Sequence, residues 1–251
     1  ILDMHDAPGG QTGDNIDDSY GYPWLLESEK SQSKFCDVWR KIADRYKDEP
    51  VILGYELLNE PIAPYFENMK DLNTKLEPLY KRAVKSIREV DNHHIILLGG
   101  AQWNGNFDVF SDWKFDDKIM YTCHRYGGGT DSKAIESIIS FRDKTGLPMY
   151  MGETGHNTDE WQDSFCKMLR ENNIGYTFWP YKKLDNSCVN AVVRPAEWDT
   201  IVVKFAESQR VTYKEIREAR PNQQQAKSIL NQYLEKIKCE NCIPQIGYIK
   251  S

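Results

Sequence analysis

Gly54-Tyr55-Glu56-Leu57-Leu58-Asn59-Glu60-Pro61 is the stretch on which the fold turns. Val51-Ile52-Leu53 before it and Leu57-Leu58 within it form an apolar run that fits a parallel strand covered on both faces. Pro61 has no amide hydrogen with which to continue a ladder, so Glu60 is expected where the strand stops. Pro148-Met149-Tyr150-Met151-Gly152-Glu153-Thr154-Gly155 repeats the pattern and delivers Glu153 into a glycine-containing turn. Active sites of α/β proteins lie at the carboxyl ends of strands. Two glutamates at two strand ends are therefore the starting hypothesis.

Outward from these two stretches, apolar runs predict strands over 1–5, 94–100, 118–124 and 174–179. Helical spacing of apolar residues predicts helices over 29–46, 71–90, 134–144 and 159–172. Six strands alternating with helices imply a parallel barrel or a doubly wound sheet. Each polar cluster follows a strand: His5 with the turn residues Asp6 to Gln11, Gln102-Trp103-Asn104, His124-Arg125-Tyr126, and Trp179-Pro180. The twenty polar and aromatic residues after Gln11 read as a binding loop. From Asp185 onward the pattern reads as helices only, over 197–207, 213–219 and 223–238. The expected division is a catalytic part over 1–220 and a helical C-terminal extension over 221–251 packed on it.

With 251 residues and 40% hydrophobic content the chain can build one sizeable core. A formal net charge of -6 offers no basic face for nucleic acid or an anionic membrane, and no apolar run is long enough to span a bilayer. Seven Trp and fourteen Tyr exceed what such a core requires; they read equally as ordinary packing or as platforms for sugar rings. Cys239-Glu240-Asn241-Cys242 has a metal-like spacing but no second pair, so a disulfide or free thiols is the better reading.

Two carboxylates on one rim suit glycoside hydrolysis, in which one protonates the leaving oxygen and the other attacks the anomeric carbon. Retention of configuration requires them about 5–5.5 Å apart. The plainer reading of a single strand-end glutamate is a helix-cap neighbour or a surface ion pair. Asn59 is placed to bond a sugar hydroxyl, His124 and Tyr126 to orient or tune the attacking carboxylate, and Trp179 to floor a pyranose ring. This chemistry needs no metal or organic cofactor.

Leu2-Asp3-Met4-His5-Asp6-Ala7-Pro8-Gly9-Gly10-Gln11, Leu57-Leu58-Asn59-Glu60-Pro61, His124-Arg125-Tyr126, Gly152-Glu153-Thr154 and Phe178-Trp179 occur in the order and spacing of glycoside hydrolase family 5. Over most of its length the chain resembles these cellulase-like α/β proteins, which are (β/α)8 TIM barrels. The resemblance implies that Glu60 is the general acid/base and Glu153 the nucleophile. It implies that Asn59 contacts the 2-hydroxyl, that His5 contacts sugar hydroxyls, that His124 and Tyr126 support the catalytic pair, and that Trp179 lines the glycone site. Trp103 reads as an aglycone platform or as loop packing; Asp6, Gln11 and Asn104 read as turn-stabilising and Arg125 as a rim ion-pair partner.

One departure from the family stands at the start. What matches the family's third strand begins at residue 2, so the first two strand–helix units, and an arginine that the second usually supplies near the nucleophile, are missing. A chain cut from a longer protein is expected, with open sheet edges at 1–5 and 174–179. The implied activity is retaining, endo-acting hydrolysis of a β-linked glucan, β-1,4 before β-1,3 or mannan. A non-catalytic carbohydrate-binding barrel is the competing reading. A polysaccharide substrate implies a secreted, periplasmic or cell-surface protein.

Overall fold

The computed structural model describes residues 1–251. Its strands β1 (Leu2–Asp3), β2 (Gly54–Glu56), β3 (Ile95–Gly99), β4 (Ile119–His124), β5 (Met149–Thr154) and β6 (Gly175–Phe178) form one sheet in the order β1-β2-β3-β4-β5-β6. Neighbours from β1 to β5 pair in parallel. A doubly wound sheet reverses its strand order part-way, whereas a barrel keeps strands in sequence, so the order decides for part of a (β/α)8 barrel. The sheet ends at β1 and β6, the two edges expected from sequence.

Between the strands run α1 (Glu29–Tyr46), α2 (Met69–Arg88), the short turn α3 (Ala101–Asn104), α4 (Glu136–Thr145) and α5 (Asp159–Glu171). Ser28 starts α1 by accepting the Ser31 amide at 3.2 Å, a side-chain cap for one of the helix's orphan donors. The apolar stripe of α1 buries Phe35, Cys36, Trp39 and Ala43, and the Trp39 indole donates to the Leu57 carbonyl at 3.1 Å, just beyond β2. α2 buries Leu72, Leu76, Leu79, Tyr80, Ala83, Val84 and Ile87 along its sheet-facing side. Gly146 closes α4 in the left-handed conformation at φ 66°, where a glycine pays no side-chain strain.

β2 is shorter than its apolar run suggests. Val51 is 84% exposed and Leu53 50%, so these residues approach the sheet without being covered by it. The strand begins at Gly54, where a Cβ would stand 2.3 Å from the Ile95 carbonyl oxygen; only glycine permits that approach. At this same end Tyr55 and His94 both meet the buried Asp91 carboxylate, at 2.8 and 2.6 Å, a polar knot that ties β2 to β3.

Two compact units divide the chain: Ile1–Thr154 with Phe165–Thr177, and Gly155–Ser164 with Phe178–Ser251. In the second, the helical expectation after Asp185 needs correction. β7 (Lys182–Lys183) pairs in parallel with β8 (Asn190–Ala191), and β8 pairs antiparallel with β9 (Ile243–Pro244). Two-residue strands have no periodicity to read. This unit also holds α6 (Lys204–Glu207), α7 (Tyr213–Ala219), α8 (Gln223–Lys236) and α9 (Ile246–Lys250). Thr212 and Glu215 form a capping box on α7, and the buried Tyr248 accepts the His156 amide at 3.0 Å. All six cysteines are free thiols, and no helix is long and apolar enough to cross a membrane.

Candidate active site

Glu60 is four residues beyond the end of β2, in a bend rather than in the ladder. Its φ is 46° and that of Ile62 is 59°, left-handed values that disfavour residues with a Cβ. The loop after β1 holds this bend in place. Gln11 and Thr12 are fully buried; the Gln11 amide donates to the Asn59 carbonyl at 3.0 Å and the Thr12 hydroxyl to the Glu60 carbonyl at 2.7 Å. The backbones join as well, Ile62 donating to Gln11 and Ala63 to Thr12, each at 2.9 Å. Gln11 is thus the turn-stabilising residue expected, and its effect is to fix Glu60.

β5 supplies Glu153 through a bulge. Cys123 pairs with Met151 but His124 pairs with Glu153, so Gly152 is an extra residue on β5. A Cβ on Gly152 would lie 2.3 Å from the Thr122 hydroxyl and 3.2 Å from His124 Nε2, so the bulge needs glycine. The shift sets Glu153 beside His124.

His124 joins the two glutamates. Its Nδ1 lies 3.0 Å from Glu60 Oε1 and 3.5 Å from Glu153 Oε2, with the side chain 3% exposed. Tyr126 donates its phenol hydrogen to Glu153 Oε2, and His5 Nε2 stands 3.7 Å from Glu153 Oε1. His5 is held on its other side by Asp3. Glu60, His124 and Glu153 each offer an atom within 4.8 Å of the others, a spacing that could also receive a cation.

Charge states follow from these contacts. Burial works to lower the His124 pKa, but the Glu56, Glu60 and Glu153 carboxylates outweigh it and push it up to about 10. Burial raises the Glu153 carboxyl above its ordinary value, against the opposing pull of His124 and the Tyr126 hydroxyl. The hydrogen bond to Asp3 raises His5 above the usual imidazole range.

Asn59 is 2% exposed and its Oδ1 has no partner. Trp103 is partly exposed and lines an open cavity of about 450 Å³ together with Glu60, Asp14, Arg125 and Tyr126. It sits in α3 within three successive left-handed residues, Gln102, Trp103 and Asn104, at φ 50°, 59° and 59°. Gln102 anchors that turn through Asn73 and Asn106. Trp179 is 46% exposed and belongs to the second unit. Arg125 makes no ion pair; its Nε is buried without a partner and its guanidinium occupies the space beside Gly128.

Sequence reading missed two contributors. Asn104, taken for a turn residue, reaches His124 Nε2 at 3.1 Å. Glu56, hidden inside an apolar run, is 5% exposed and 3.7 Å from the same nitrogen. A lone acidic residue in an otherwise apolar strand was the available signal.

A family model for cellulase, glycosyl hydrolase family 5, matches residues 1–185. Endoglucanase C of Acetivibrio thermocellus is 24% identical over 262 residues, spanning 80% of this chain and 73% of its own. A beta-xylosidase of Phanerodontia chrysosporium is 34% identical over 241 residues, spanning 82% of this chain and 49% of its own. Among solved structures, Thermotoga maritima Cel5A in complex with mannotriose aligns with a TM-score of 0.57 and 22% identity over 80% of this chain and 70% of that one, a likeness of fold. With the family match running from β1 to beyond β7, and both glutamate-bearing strands inside it, the chain belongs to glycosyl hydrolase family 5.

Proposed function

We infer that Glu60 and Glu153 are the reacting pair of a retaining, endo-acting hydrolase of β-1,4-linked glucan. The observation that carries this is their closeness: carboxylate oxygens of the two lie within 4.8 Å of each other and share His124. Retaining enzymes hold the pair about 5–5.5 Å apart, whereas inverting ones need about 6.5–9.5 Å to admit a water. Glu153 attacks the anomeric carbon and forms a glycosyl ester as the bond to the leaving oxygen breaks. Glu60 gives that oxygen its proton. Glu60 then takes a proton from water, which attacks the anomeric carbon and returns Glu153 to a free carboxylate.

The surroundings support these roles. His124 and Tyr126 direct positive charge and a hydroxyl hydrogen at Glu153, which favours the ionised nucleophile against the opposing effect of burial. We assign Asn59 and His5 to sugar hydroxyls, and Trp103 to a platform on the leaving-group side. Trp179 is assigned to the glycone side from its sequence position. A glucan polymer cannot enter a cytoplasm, so the site of action is secreted, periplasmic or at the cell surface.

Preference for β-1,4-glucan draws on the endoglucanase relatives; the beta-xylosidase relative and the mannotriose-bound fold neighbour define the comparison set. The test is hydrolysis of carboxymethyl cellulose, β-1,3-glucan, mannan and xylan, with the first-formed anomer followed by proton NMR. Release of β-configured cello-oligosaccharides, before mutarotation, is the expected result. An α-configured first product overturns the double displacement, and faster attack on another polymer overturns the linkage.

A further inference from the structure

Behind His124, on the side away from Glu60 and Glu153, lies a group of buried polar atoms that the hydrolytic scheme does not use. Glu56 is 5% exposed, and its Oε1 has no hydrogen-bond partner. Its ion-pair partner is His124, with Nε2 at 3.7 Å from Oε1. Asn104 faces the same nitrogen at 3.1 Å, and its Oδ1 is buried without a partner. The Thr122 hydroxyl is likewise buried and unpaired. Thr122 Oγ1, His124 Nε2 and Glu56 Oε2 stand 2.3, 3.2 and 3.5 Å from the one point that a Cβ on Gly152 would occupy. The bulge that aims Glu153 forward therefore also opens the room in which these groups converge.

A carboxylate in such a place is stable only against a compensating charge. Neutral imidazole turns a lone pair toward Glu56 when its hydrogen is on Nδ1, and toward Glu60 and Glu153 when it is on Nε2; against ionised carboxylates either is repulsive. Imidazolium turns an N–H toward it instead, and rotating the Asn104 amide by half a turn gives that N–H a carbonyl acceptor at the same place.

We propose that Glu56 is a positioning residue for His124: from behind the ring it fixes the doubly protonated imidazolium, whose Nδ1–H is thereby held between Glu60 and Glu153, with Asn104 completing the clamp. The proposal rests on the reading of Glu60 and Glu153 as the reacting pair. The groups that face this ring are Glu56 from β2, Glu60 beyond it, Glu153 from β5 and Asn104 from α3; Tyr126 and His5 flank Glu153, and Asp3 holds His5. Tyr80, Cys123 and Tyr150 feel the Glu56 charge and are held neutral, their pKa values raised first by burial and also by Glu56. The ordinary imidazole range is overridden because carboxylates press on the ring from both nitrogens, in accord with its elevated pKa of about 10.

Nitrogen-15 NMR of the histidine side chains, from about pH 5 to about pH 10, reads the state of His124 directly in the protein carrying this chain. The signal is assigned by its absence in H124N. In the wild type both ring nitrogens should stay protonated through neutrality and beyond. In E56Q the titration should fall by about one unit or more. E56D should recover part of the shift. A purely structural role for Glu56 would change the unfolding temperature and leave the His124 titration alone. A wild-type His124 that is neutral at pH 7 overturns the proposal without any variant, and so does an unaltered titration in a folded E56Q. Absence of turnover on every glycan, with the NMR titrations as expected, overturns instead the role of Glu60 and Glu153.

Discussion

Tyr126 donates its hydroxyl hydrogen to Glu153 Oε2, the same oxygen that His124 approaches to 3.5 Å. A donated hydrogen bond favours the ionised carboxylate, so the phenol holds the Glu153 pKa below where burial alone would leave it. In the proposed role of nucleophile Glu153 is active when ionised, so its pKa would set the acidic limb of the rate profile. Since the folded value is raised, that limb should lie above the ordinary glutamate range. Y126F removes the lowering contact, and the acidic limb of kcat/KM should move to higher pH. A limb that moves down, or stays, refutes the assignment of Glu153 as the group titrating there.

E60A and E153Q should fail differently. Loss of a general acid slows hydrolysis of glycans by about 10²–10⁴-fold, yet an aryl glycoside with a good leaving group needs little protonation. E60A should therefore retain far more activity on an activated aryl cellobioside than on cellulose. E153Q should lose both, because no ester can form. Equal loss of both substrates in E60A would move the acid role elsewhere.

W103A tests the leaving-group side. Removing a flat apolar contact of roughly 1–2 kcal/mol should lower kcat/KM by about 5–30-fold on long cello-oligosaccharides. Hydrolysis of a short aryl glycoside, which does not extend that far, should change little. If both substrates suffer equally, Trp103 holds the α3 turn rather than the sugar.

At the far end of β2, Asp91 binds Tyr55 and His94, and its carboxyl is held below the ordinary aspartate value. Burial works to raise it, but the His93 and His94 amides, the phenol and the imidazole outweigh burial. A depressed carboxylate contributes stability that is present above its unfolded pKa and lost as pH falls through the folded one. D91N should lower the unfolding temperature at neutral pH by roughly 2–12 °C, equivalent to about 1–3 kcal/mol. The gap to wild type should close in acid. A gap independent of pH would mean that shape, and not charge, is what Asp91 provides.

The barrel order and the convergence of the site were legible because apolar runs stop at glycine or proline and leave polar residues at the rim. His5, Glu60, His124, Tyr126 and Glu153 all follow that rule and meet in space. Glu56 did not follow it. Its carboxylate belongs to the strand itself, where alternation counts it as one residue of a buried run. Asn104 was hidden for another reason: three left-handed residues in a row carry no sequence signature, and only the backbone reveals where its amide points. β7 to β9 were lost to brevity, and the exposure of Val51 and Leu53 shows that a hydrophobic residue next to a strand need not enter it.

The seam between the loops after β1 and β2 has a consequence for redesign. With Gln11 and Thr12 bonded to residues 59–63 by side chain and backbone, the two segments move as one casting. Swapping in a related enzyme's His5-to-Gln11 loop alone would bring donors cut for another acceptor set, and Glu60 would lose its bearing. Chimeras that exchange both segments together are the ones that should keep Glu60 in its place.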